Sequence, residues 1–224
     1  MLMPAEMNEV DFAQCLVNMG KYAPAELVQQ LQEVDPGDQE QVLARELPDE
    51  GLDVQPVHHA VQQLAKASGK EYGPELQLYG DYLCLFMHCF RQDMHVPCVL
   101  GLQPVTIANS LQGETYTVSQ QFSGDVSLVG SIQAQTPVFL AMAEAYSGMK
   151  FSEVDAVAID CVQEFMNVYS GLFTRELAAR EQEAELELPR CGANVTPDGS
   201  HQLAARVFSG LGVFDVILAM DEFF

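Results

Sequence analysis

Tryptophan is absent from this chain of 224 residues, and bases are scarce: ten Lys and Arg stand against thirty-two Asp and Glu, for a formal charge of −22. Such a balance repels a phosphate backbone and an anionic bilayer, so it argues against both nucleic acid and a membrane surface as partners. No apolar run reaches the roughly eighteen residues that a spanning helix needs, and Glu6, Glu9 and Asp11 stand where a secretory leader would carry bases. The expectation is a cytoplasmic protein. The six cysteines include no C-x-x-C pair and sit mostly among apolar neighbours, which suits reduced core thiols. Cys84, His88, Cys89, His95 and Cys98 are the one cluster to weigh as a zinc site, but no two of them have a finger-like spacing, so no metal is expected. Nor does a Ser/His/Asp or Cys/His nucleophile constellation show at a recognisable spacing.

What is present is enough for a large core, since 48% of the residues are hydrophobic. Residues 1–72 read as a small helical segment with breaks at Gly20, Pro24, Pro36-Gly37 and Pro48 to Gly51. The turn-rich Ser68 to Pro74 marks a boundary, and residues 73–224 follow as the main domain. Pro74 opens a helix that is apolar nearly all round and ends by Pro97. Period-two segments then predict strands at Val105–Leu111, Thr115–Phe122 and Val126–Ile132. A helix from Thr136-Pro137 to Gly148 comes next, then a long one from about Val154 to Arg180, with Ser152 and Asp155 placed as a capping box. Further strands are predicted at Ala184–Pro189, Gln202–Phe208 and Val213–Met220.

The long helix carries the candidate site. At 100° per residue, Val154, Val157, Cys161, Phe165, Val168 and Leu172 form one stripe, expected to face the core. Asp160, Glu164, Asn167 and Gly171 form a second stripe, with a carboxylate and a carboxamide side by side. A glycine inside a helix costs roughly 1 kcal/mol against alanine, so Gly171 suggests a close approach to the backbone. Two readings stand open: a presented pair, or simply the solvated face of an amphipathic helix.

Asp81 to His88 aligns without a gap on Asp160 to Asn167, sharing Asp, Phe and Met, and Phe122-Ser123-Gly124 recurs as Phe208-Ser209-Gly210. The order is helix, three strands, two helices, three strands: an α+β fold made of a duplicated helix and three-stranded antiparallel unit, about six strands with three helices. With these residues the sequence resembles the CheC/CheX/FliY family of phosphatases acting on CheY-like response regulators. Asp160, Glu164, Asn167 and Pro189 match that family's site pattern, with Pro189 one residue closer than is usual there. The first copy has Leu85 and His88 in place of the pair, so the resemblance points to the CheX branch, with one site per chain.

The resemblance implies that Asn167 orients the water attacking an aspartyl phosphate and that Glu164 pairs with the receiver's lysine. Asp160, Gly171 and Pro189 would lie in the partner-binding surface. The chain would need no cofactor of its own, the Mg2+ being the receiver's, and a homodimer is compatible with it. The alternative is a CheX-like domain that binds a receiver without hydrolysing its phosphoryl group.

Overall fold

The computed structural model describes residues 9–47, 55–106, 109–195 and 197–221. They form two compact units, one drawn from the described residues of 9–104 and 205–212, the other from those of 105–204 and 213–221.

The first unit contains α1 (Glu9–Asn18), α2 (Pro24–Gln32), α3 (Gln39–Arg45), α4 (Pro56–Ser68), α5 (Glu75–Met94) and β1 (Cys98–Leu100). It also takes most of β6 (Leu203–Ser209), which pairs antiparallel with β1. Leu16, Leu27, Val28, Leu31, Leu43 and Val99 share one core. Gln14 is fully buried there. Its Oε1 accepts from Leu100 N at 2.7 Å and its Nε2 donates to Leu100 O at 3.1 Å, so one side chain satisfies backbone groups of a three-residue strand. As the sequence predicts, α5 is buried over most of its circumference, through Tyr79, Tyr82, Leu83, Phe86, Met87 and Phe90. His58 of α4 meets Asp81 of α5 at 2.8 Å, directly over Gly80. α1–α4 and α5 thus belong to the same compact unit.

The second unit holds β2 (Thr115–Gly124), β3 (Leu128–Gln135), α6 (Thr136–Ser147), α7 (Ala156–Ala178), β4 (Ala184–Leu186), β5 (Arg190–Ala193) and β7 (Gly212–Ala219). All its pairings are antiparallel: β7 with β3, β3 with β2, and both β4 and β5 with β2. Tyr116, Val118, Gln120 and Phe122 alternate onto one face of β2, where Phe122 meets Phe173 of α7 edge-on at 5.8 Å and Tyr116 meets Phe139 of α6 at 5.3 Å.

The fold is thus α+β with antiparallel strands, and two details of the expected element order change. The strand predicted at Val105–Leu111 is not one at its described residues, of which Asn109 closes a turn back onto Thr106; residues 107 and 108 lie outside the described part. The strand in that part of the chain is β1, too short and too completely buried to alternate. The segment predicted as Ala184–Pro189 is a strand only in β4, Ala184–Leu186, and a second strand, β5, follows it at Arg190–Ala193. Phe122 pairs with Leu186 and Val118 with Cys191, so four steps along β2 face five along its partner. One residue is therefore bulged out at Glu187 to Pro189, where proline has no N–H for the ladder. Seven strands result among the described residues, where about six were expected.

Candidate functional site

The long helix α7 begins at an Asp155 N-cap, whose carboxylate accepts from Val157 N at 3.0 Å and Ala158 N at 2.8 Å. Ser152 stands outside the helix, so the predicted capping box is replaced by this single-residue cap. Ala158, Val162, Phe165, Met166, Tyr169, Phe173 and Leu177 form the buried stripe. This rotates the helix from the expected phase. Phe165 faces in as predicted, but Val157, Val168 and Leu172 are 50%, 41% and 37% exposed. The aromatic series Phe165, Tyr169 and Phe173, at steps of four, takes the interior because it buries far more apolar area than the valines can. An apolar ridge is left at the surface, next to the polar stripe.

Asp160, Glu164 and Asn167 are all exposed, and Gly171 is half-buried. Glu164 has no hydrogen-bond or ion-pair partner among the described residues. The space beyond Gly171 is open: a Cβ there would meet nothing within 4 Å, so the close approach suggested by its sequence position does not come from the described residues.

Asn167 is held from below. Gln120, 1% exposed on β2, donates from Nε2 to Asn167 Oδ1 at 2.9 Å and to the backbone O of Glu187 at 2.9 Å. Glu187 N in turn donates to Gln121 O at 3.0 Å, so the bulge is tied to β2 from both sides. Pro189 is placed by α7 itself, through Gln163 Nε2 to Pro189 O at 2.9 Å. Leu188 between them is 86% exposed. The structure thus draws together Glu164, Asn167 and the Pro189 bulge on one surface, with Asp160 and Gly171 further along the same helix.

Gln120, Gln163 and the Glu187 carbonyl escaped the sequence reading. Gln120 had a signal: it is the one polar residue in the alternation Tyr116, Val118, Gln120, Phe122, and a polar side chain on a core-facing position needs a partner. The residues of the Cys84 to Cys98 cluster differ in burial, with Cys84 and His88 half-buried and His95 exposed. Cys89 and Cys98 are buried, Cys98 Sγ lies 3.8 Å from Met87 O, and burial pushes the Cys98 thiol up to about 12. No helix among the described residues is long and apolar enough to cross a membrane.

Neither a protein-family model nor a curated protein matches the chain. Solved structures do. CheX from Desulfovibrio desulfuricans is 16% identical with a TM-score of 0.53, over 65% of this chain and 99% of its own. CheX from Borrelia burgdorferi, in a complex with CheY, BeF3 and Mg2+, is 18% identical with a TM-score of 0.53, over 63% and 96%. The chain has the CheX fold. CheX from Vibrio vulnificus matches as well, at 12% identity and a TM-score of 0.50, over 62% and 95%. Each CheX neighbour is covered over nearly its whole length, so this chain adds further residues to a complete CheX fold.

Proposed function

We propose that the chain dephosphorylates a CheY-like receiver in chemotaxis or a related two-component pathway, acting on the receiver's aspartyl phosphate. The observation that carries this reading is the Glu164 and Asn167 pair, exposed on α7, with Asn167 anchored through Gln120 to the Pro189 bulge. The Borrelia burgdorferi neighbour, solved with CheY and Mg2+, supports a receiver as the partner class.

The reaction asks little covalent chemistry of the chain. Water attacks phosphorus, the bond from phosphorus to the aspartyl oxygen breaks, and the carboxylate leaves with the electron pair while the water's proton passes to phosphate or solvent. The catalytic need is a water held in line with the leaving carboxylate, and an anchored carboxamide supplies that alignment. Glu164, with no partner among the described residues, is the group that pairs with a lysine of the receiver in this reading. The ridge of Val157, Val168 and Leu172 offers apolar contact beside it, and Asp160, Gly171 and Pro189 complete the contacting surface. Mg2+ in this reading is held by the receiver.

The test is the decay of a phosphorylated CheY-like receiver with and without the chain. Faster decay supports the phosphatase; stable binding at an unchanged decay rate would instead establish a receiver-binding module.

A further inference from the structure

Gln120 lies beneath the pair that the phosphatase reading uses. Its Nε2 carries two hydrogens, and both are spent: one on Asn167 Oδ1 and one on the Glu187 carbonyl. Its Oε1 is buried with no hydrogen-bond partner. Leaving a buried acceptor unpaired is unfavourable, and the neighbours on the same face of β2, Val118 and Phe122, show that apolar side chains fill such positions. A residue present only for packing would not carry this amide.

We propose that Gln120 is the positioning residue of the site and that the Glu187 backbone carbonyl sets the polarity of Asn167. This rests on the phosphatase reading. A backbone carbonyl fixed in a bulge can only accept, so it turns the N–H side of Gln120 toward itself. The second N–H of Gln120 then requires an acceptor, which orients Asn167 with Oδ1 inward and Nδ2 outward. Reversing Asn167 alone would set two donors against each other. Reversing both amides would set Gln120 Oε1 against the Glu187 carbonyl, oxygen to oxygen. Asn167 accordingly meets the substrate as an N–H donor. It donates to one lone pair of the attacking water and leaves the other to point at phosphorus. Gln163, on Pro189 O, steadies the same bulge from the helix side.

The experiment has two arms. In single-turnover decay of a phosphorylated receiver, Gln120→Met should lower the maximal rate about tenfold, with half-saturation within about twofold of wild type, because an unanchored carboxamide is misaligned but the docking surface is intact. Asn167→Asp keeps an acceptor for Gln120 but presents an acceptor outward, so it should lose as much rate as Asn167→Ala. In the second arm, side-chain amide exchange is measured by NMR on the wild-type chain, the signals being assigned by through-bond correlation on that same chain. The Gln120 amide protons should be protected from solvent and those of Asn167 should exchange freely. This arm decides the anchoring even where Gln120→Met folds poorly. Wild-type rate in a folded Gln120→Met, near wild-type rate in Asn167→Asp, or rapid exchange at Gln120 would each overturn the proposal while leaving an active wild type as a phosphatase. A wild-type chain that fails to speed decay removes the phosphatase reading and this one together.

Discussion

Phe165 lies between Glu164 and Asn167, so its direction fixes theirs, and Phe165→Ala tests the orientation of the whole site. The side chain is 0% exposed, with ring centroids 5.9 Å from Tyr146 of α6 and 5.4 Å from Tyr169 one turn along α7. Truncation removes the transfer energy of the ring and leaves a hole between two rings that are held by separate helices, which limits collapse. The cost should be about 3–5 kcal/mol. For a chain of this size, each kcal/mol lowers the melting temperature by about 2–4 °C, so a loss on the order of 10 °C should appear in thermal unfolding. The paired control is Val168→Ala, at a position 41% exposed, where the change should stay within about 0.5 kcal/mol. The opposite ranking, a costly Val168→Ala beside a harmless Phe165→Ala, would show that α7 is turned the other way and that Glu164 and Asn167 are not presented.

Substitutions at three further positions probe other parts of the account. Glu164→Ala should raise the half-saturating concentration in receiver decay, and Glu164→Lys should raise it further, since a docking ion pair is lost in one and reversed in the other; equal effects would deny the ion pair. Leu172→Lys should also weaken half-saturation while leaving the maximal rate in place, as expected of an apolar contact outside the chemistry; an unchanged half-saturation would leave the ridge without a docking role. Gly80→Ala should destabilise the chain by about 1–3 kcal/mol in chemical unfolding, because the new Cβ would lie 2.4 Å from His58 Cδ2 and force the ring off Asp81; full stability would mean that α4 yields at no cost.

Much of this was legible in the residues. The helical period of α7, the spacing of Glu164 and Asn167, and the period-two runs of β2, β3, β6 and β7 follow from local pattern. The phase of α7 was not legible by counting, because Val157, Cys161, Val168 and Leu172 lie beside the true core stripe, and the two together take up nearly half of the helix. Side-chain size decides between them: Phe165, Tyr169 and Phe173 claim the core. β1 and β5 are too short to alternate, and β5 exists as a separate strand only because Pro189 breaks the ladder. The anchoring of Asn167 joins residues 120, 167 and 187, and such a contact follows from sheet register, which a single sequence does not display.

The most direct test of the central claim is the single-turnover decay of a phosphorylated CheY-like receiver over a range of concentrations of Asn167→Ala. The account predicts a maximal rate lower by about two orders of magnitude at an unchanged half-saturating concentration, the mark of an interaction made in the transition state. A variant that is as fast as the wild type at saturation would contradict it, and the exposed face of α7 would then be a solvated surface rather than an active one.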